Sequence, residues 1–151
     1  MFSQTITIFN RLEGEEGDTW FPTVIRNAHV EMDRAAILEK YGAAAADSAV
    51  LHVKYDVDDA GNVLISEKRW MPPKEWERQL EHSKTVTFTP GDRFDFFMLG
   101  DWGSEEPVND ADYAADIDFY THMNRMHDYV FAVSSVGGPY RMIPHFEVMG
   151  K

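Results

Sequence analysis

The sequence contains no cysteine among its 151 residues. This absence excludes disulfide bonds, thiolate nucleophiles and cysteine-ligated zinc sites, and it fits a reducing compartment. Basic residues are also scarce, because 14 lysines and arginines stand against 26 acidic residues, for a formal net charge of −12. Such a surface repels phosphate backbones and anionic lipid, so we expect neither direct nucleic-acid binding nor membrane binding.

Long apolar runs are missing as well. No stretch approaches the roughly 20 apolar residues that a membrane-spanning helix needs. The first residues show no basic segment ahead of an apolar one, so they are not typical of a signal peptide. We therefore expect a soluble chain that is intracellular when it is synthesised. Apolar residues (44%) and aromatic residues (13%) are plentiful, and they predict one folded domain over residues 1–151.

Alternating apolar positions predict a mainly β fold. The segment QTITIFNR places Ile6 and Ile8 on one face and Phe9 on the other, and a second β-rich run after an acidic turn predicts a hairpin. The later β-rich segments are AVLHVKYDV, NVLISEKRW, the two arms of TVTFTPGDRFDFFML around a Pro-Gly-Asp turn, DYVFAVSSV before a GGPY turn, and HFEVMGK. Because the connections are short, we predict a small antiparallel β-barrel or sandwich of seven or eight strands with one or two short helices.

Helical features occur in three places. Asp33 is a candidate N-cap for a short helix through about Tyr41, although an ordered loop fits the same residues. In MPPKEWERQLEH, Trp76 and Leu80 lie four residues apart behind two prolines, which predicts one or two turns of amphipathic helix. An acidic insertion at 101–127 predicts a loop followed by a further amphipathic helix. Its stripe at helical spacing consists of Tyr113, Asp116, Ile117, Tyr120, Met123 and Asn124.

The segment DVDDAGNVLISE, at 56–67, resembles an EF-hand calcium loop when taken alone. It has acidic residues at loop positions 1, 3 and 12 and Gly61 at position 6, but no ligand at position 5. An EF-hand loop joins two helices, whereas β-rich runs flank this one. We therefore interpret the segment as a hairpin turn in which Gly61 supplies a positive φ. The clustered carboxylates of Asp56, Asp58 and Asp59 remain a weak candidate metal site.

Other catalytic signatures are missing from the sequence. His122 and His127 are five residues apart and would not share a helix face, and no H-E-x-x-H motif occurs. There is neither a G-x-S-x-G nucleophile elbow nor a phosphate-binding glycine loop. We predict a chain that is not an enzyme and has no catalytic or cofactor-binding residues. The many aromatic and methionine residues fit a core, and they fit an oligomer interface equally well.

The order of several short motifs resembles a known family. These motifs are TITIFNR, WFPTVIRNAHVE, ADSAVLHVKYDVDDAGN, PPKEW, TFTPGDRF and HFEVMGK. Together they are similar to an uncharacterised family of small proteins encoded among the head and head–tail joining genes of phages and prophages of Gram-positive bacteria. The sequence departs from that pattern at Phe146, where the family usually has Trp, and in the acidic insertion at 101–127.

The resemblance implies a non-enzymatic role. It implies a virion structural or assembly protein, a head–tail connector or head-completion component, that works through protein–protein contacts in an oligomeric ring. Its partners would be other phage structural proteins and copies of itself, and its location would be the virion, with the host cytoplasm during assembly. Two alternatives stay open: a β-barrel that binds a small ligand through its aromatic cluster, and a divalent-ion-dependent enzyme using the Asp-rich turn.

Overall fold

A computed structural model of the protein describes residues 3–32 and 49–151. The strands are β1 (Gln4–Leu12), β2 (Thr19–Met32), β3 (Ala49–Lys54), β4 (Asp56–Val57), β5 (Val63–Ile65), β6 (Lys68–Trp70), β7 (Thr85–Val86), β8 (Phe96–Leu99), β9 (Val108–Asn109), β10 (Val130–Tyr140) and β11 (His145–Gly150). The helices are α1 (Pro73–Arg78) and α2 (Phe119–Met126), with 3-10 turns at His82–Lys84 and Asp110–Asp116. The helix predicted from Asp33 lies outside the described residues. None of the described helices is long and apolar enough to span a membrane.

Six of these strands close into an antiparallel barrel. Their order is β1, β8, β10, β11, β3 and β2, and β2 then pairs with β1. The short β9 adds to the start of β2 through Trp20 and Val108. The prediction of a mainly β fold with few short helices is confirmed, and the barrel is the correct choice between the two architectures that the sequence allowed.

The side chains that fill the barrel interior are those on one face of each strand, at every second residue. Ile6 and Ile8 of β1 are fully buried in the main core, as are Leu51 and Val53 of β3, while the residues between them point outward. Aromatic rings complete this core, among them Phe97, Phe131 and Phe146. The inside of the described barrel is therefore filled by side chains.

A second, four-stranded sheet packs against this core. Its order is β4, β5, β6 and β7, and Ile65, Trp70 and Val86 join the main core. The sequence predicted NVLISEKRW as one strand, and this prediction is wrong. The chain turns back at Ser66 and Glu67, whose φ angles are 50° and 69°, so that β5 pairs with β6.

Two predicted hairpins are paired differently in the structure. The run AVLHVKYDV divides, because β3 lies in the barrel between β2 and β11 while only β4 pairs with β5. The two arms around Pro90 do not pair with each other. The first contributes β7, which runs parallel to β6, and the second contributes β8, which lies between β1 and β10.

Both predicted helices exist, with different boundaries. In α1, Trp76 is buried as expected, but the helix ends at Arg78 and Leu80 is 93% exposed. The predicted helix in the acidic insertion is interrupted at Ile117, which has a φ of 78°. A new helix, α2, begins after Asp118, whose carboxylate accepts a hydrogen bond from the Thr121 N–H at 2.7 Å.

The acidic insertion covers one part of the outer face of the barrel. Phe119 and Met123 of α2 are buried against Phe9, Trp20 and Phe96, which form a second core outside the barrel. The Phe119 ring lies 5.2 Å from that of Phe9 in an edge-on arrangement. The insertion is therefore part of the folded domain.

Candidate functional site

A cluster of histidine and glutamate side chains lies on the outer face of three neighbouring strands. His52 stands in β3 between the inward-facing Leu51 and Val53, so its side chain points away from the core. In β11, His145 and Glu147 flank the inward-facing Phe146. The strand register then places Glu147 directly opposite His52.

The potential ligand atoms of His52, His145 and Glu147 all lie within 4.8 Å of one another. Oε1 of Glu147 is 3.4 Å from Nε2 of His145 and 3.9 Å from Nδ1 of His52. The three side chains are partly buried, with exposed fractions of 20% for His145, 19% for His52 and 36% for Glu147. The group is thus held by the barrel and remains open to solvent on one side.

The tautomer of His145 follows from one contact. Its Nδ1 lies 2.5 Å from the carbonyl oxygen of Ile143, and a carbonyl oxygen only accepts hydrogen bonds, so Nδ1 carries the proton. A neutral His145 therefore directs the lone pair of Nε2 toward the Glu147 carboxylate. Two acceptors then face each other at 3.4 Å, and a proton or a cation between them removes the conflict.

His52 connects this group to a second carboxylate. Its Nε2 atom is buried and makes no hydrogen bond within the described residues, and Oε2 of Glu31 lies 3.7 Å from it. Glu31 also lies 3.6 Å from Nε2 of His29, the residue opposite His52 in the register of β2 and β3. The imidazole rings of His29 and His52 are 5.7 Å apart. Three histidines and two glutamates therefore form a continuous row across β2, β3 and β11.

An exposed apolar turn lies beside this row, at the end of the β10–β11 hairpin. We call residues 140–144 the hairpin tip. Its large side chains are unusually exposed: Met142 is 100% accessible, Ile143 70% and Tyr140 43%. The predicted GGPY turn is wrong, because β10 continues through Tyr140 and the reversal follows at 141–144. The tip is anchored at its base, where the Tyr55 hydroxyl donates a 2.6 Å hydrogen bond to the Tyr140 carbonyl.

The residues that the sequence suggested for metal binding lie elsewhere. Asp56 is in β4, and Asp58 and Asp59 are in the turn before β5. The Asp58 carboxylate accepts hydrogen bonds from the N–H groups of Ala60 (3.0 Å) and Asn62 (2.8 Å), and the hydrogen bonds from Asn62 lower its pKa. The segment forms the hairpin turn that we expected, and its aspartates are not part of the converging histidine group.

Sequence reasoning missed the histidine row, although it leaves a trace in the sequence. The pattern H-x-E occurs twice, at His29–Glu31 and His145–Glu147. In a strand, this spacing places both side chains on the same face. The single His52 gives no such signal, because only the pairing of β3 with both β2 and β11 brings it between the two pairs. His122, which the sequence singled out, is instead 2.6 Å from the Asp116 carboxylate.

Comparison with known proteins gives one match. A protein-family model described as a family of unknown function (DUF6751) matches residues 1–151. No curated protein and no solved structure matches the chain.

Proposed function

The chain belongs to this uncharacterised family over its whole length, and we propose that it is a non-enzymatic structural or assembly protein of tailed-phage or prophage particles. In this proposal it acts as a head–tail connector or head-completion component, through protein–protein contacts in an oligomeric ring. The phage assignment is supported by the order of motifs from TITIFNR to HFEVMGK. The mode of action is supported by the hairpin tip.

The hairpin tip carries the proposal because its composition suits a protein contact. Tyr, Met and Arg are enriched at protein interfaces, and the tip contains Tyr140, Arg141 and Met142. A fully accessible methionine beside an exposed isoleucine gains free energy when a partner covers it. The two strands that carry the tip pair over most of their length, so the contact would be presented on an ordered support.

Charge favours a second copy of the chain as the neighbour on which the tip docks. The tip carries Arg141 and no acidic residue, whereas the whole chain has a net charge of −12. A basic, apolar tip is complementary to the acidic body of another copy. Repetition of the same contact, with the tip of each copy on the body of the next, generates a ring if the rotation closes.

The ring is tested by changing the hairpin tip. We expect the double substitution Met142→Asp with Ile143→Asp to convert oligomers to monomers, because it places two charges where apolar side chains would be buried. Mass photometry over a range of concentrations measures the change. Leu80→Asp is the matched control, since Leu80 is also highly exposed (93%) but lies outside the tip. A wild-type chain that stays monomeric throughout, or a double variant that assembles like the wild type, contradicts the ring.

The phage role is tested separately. Portal, capsid and tail genes should flank the coding sequence. Deleting that sequence from the phage genome should leave heads and tails unjoined in electron micrographs, and the wild-type gene supplied from a plasmid should restore joined particles. Normal particles from the deletion strain would refute the assembly role.

A further inference from the structure

We propose that His52, His145 and Glu147 form a binding site for a divalent transition-metal ion, with Zn²⁺ as the representative ion. The inference rests on the geometry of the histidine row and is independent of the assembly role. Nδ1 of His52, Nε2 of His145 and a carboxylate oxygen of Glu147 are the ligands. Two imidazoles with one carboxylate are a donor set that zinc accepts, with a further position left for water.

The distances between the ligand atoms fit this ion. Ligands at about 2.1 Å from a tetrahedral zinc ion lie roughly 3.4 Å from one another. The Glu147 oxygen is 3.4 Å from Nε2 of His145 and 3.9 Å from Nδ1 of His52. All three ligand atoms lie within 4.8 Å of one another, so the side chains must move closer together to reach the tetrahedral spacing.

Each histidine has a polar neighbour beside the nitrogen that does not bind the ion. The Ile143 carbonyl holds the proton of His145 on Nδ1, at 2.5 Å, which leaves Nε2 free to ligate. Ligation through Nδ1 of His52 leaves its proton on Nε2, the buried atom that lies 3.7 Å from Glu31. Metal-bound histidines commonly donate the other N–H to a carbonyl or carboxylate. Nδ1 of His145 has such a partner, whereas the 3.7 Å between His52 and Glu31 is longer than a hydrogen bond. In this proposal Glu31 is a positioning residue that accepts the N–H of His52 when the ion binds.

The donor set also selects the class of ion. Imidazole suits zinc, copper, nickel and iron, whereas magnesium and calcium bind mainly to oxygen ligands. A chain with a net charge of −12 attracts any cation weakly. If zinc binds saturably and magnesium does not, the binding is due to the histidine ligands and not to the general attraction of cations by an acidic chain.

Isothermal titration of tag-free, chelator-treated protein tests the site. We expect ZnCl₂ to bind with one ion per chain and MgCl₂ to give only the heat of dilution. His145→Ala and Glu147→Ala should each lower the zinc affinity at least about tenfold. His127→Ala is the control, because it removes an exposed histidine from the C-terminal end of α2, and it should bind zinc like the wild type.

Three results would overturn the site. They are the absence of saturable zinc binding to the wild type, equal affinities of His145→Ala and His127→Ala, and magnesium binding as strong as that of zinc. The thermal midpoint of each variant shows whether that variant folds. It also reports binding, since a ligand that binds only the folded state raises the midpoint. At a zinc concentration near the wild-type dissociation constant, the rise in midpoint should be largest for the wild type, smaller for Glu31→Gln and smallest for His145→Ala.

Discussion

Asp95 is a fully buried carboxyl group that joins three separate parts of the chain. Its side chain accepts hydrogen bonds from the Arg11 N–H (2.8 Å), the Thr89 N–H (2.8 Å) and the Asn10 amide (2.9 Å). These donors stabilise the charged form, but burial outweighs them and raises the pKa of Asp95 to about 7. This residue therefore links the stability of the barrel to pH.

The sign of this linkage follows from the raised pKa. Between the ordinary pKa of 3.8 and the folded value of about 7, the folded chain binds a proton that the unfolded chain has lost. The stabilisation from this proton is complete below about pH 4 and is lost as the pH rises through about 7. Its size is up to about 4 kcal/mol.

We expect the unfolding free energy of the wild type minus that of Asp95→Asn to decrease from about pH 4 through pH 7 and to become constant above about pH 8. Urea unfolding at a series of pH values measures it. Asp92→Asn, an exposed position in the same loop, should follow the wild type at every pH. A difference that grows with pH would show instead that the three N–H donors decide the charge state of Asp95.

Some properties of single residues could be predicted from the sequence and others could not. Alternation correctly assigned Ile6, Ile8 and Phe9 to opposite faces of β1, because the two-residue period is a local property. The buried state of Asp95 was not predicted, since acidic side chains are almost never fully buried. Asn10 and Asp95 are 85 positions apart, and only the closed barrel brings them together.

At the scale of elements, the acidic insertion is attached to the barrel through Asp110. One carboxylate oxygen of Asp110 accepts hydrogen bonds from the Trp20 indole N–H at 2.7 Å and from the Phe119 N–H at 3.0 Å. The other oxygen accepts from the Asp18 N–H at 3.2 Å. A single side chain thus positions the start of α2 against β2.

We expect Asp110→Ala to lower the free energy of unfolding by about 1–3 kcal/mol, because three donors lose their acceptor. It should also increase protease cleavage within 101–127 under native conditions, because the insertion opens more often. Urea unfolding and limited proteolysis measure these effects. The matched control is Asp112→Ala, an exposed residue in the same 3-10 turn. Identical behaviour of the two variants would mean that the aromatic core alone holds the insertion.

The boundaries of elements were less predictable than their types. The turn at Ser66 and Glu67 has a positive φ at two residues without glycine or asparagine, so it lacked the usual signals of a turn. The Gly137–Gly138 pair carried such a signal, yet β10 passes through it with an irregular register to β11. In both places the pairing of strands within the whole sheet overrides the local preference of the residues. That pairing cannot be seen in a single sequence.

For the whole molecule, the net charge of −12 opposes the ring that we propose, although the basic tip is locally complementary to the acidic body of a neighbour. Copies of the chain repel one another, while burial of the hairpin tip favours contact. The screening length falls from about 30 Å at 0.01 M salt to about 8 Å at 0.15 M. Added salt should therefore weaken the repulsion between bodies more than it weakens an apolar contact.

We expect the oligomeric fraction of the wild type to increase as salt is raised over this range, since the apolar contact of Met142 and Ile143 is not screened. Mass photometry at fixed protein concentration measures the fraction, and the double tip variant should stay monomeric at every salt concentration. Because Arg141 is the basic residue of the tip, attraction between it and an acidic neighbour would have the opposite dependence. Oligomers that dissociate on addition of salt would therefore assign the contact to Arg141 and reject burial of the two apolar side chains as its driving force.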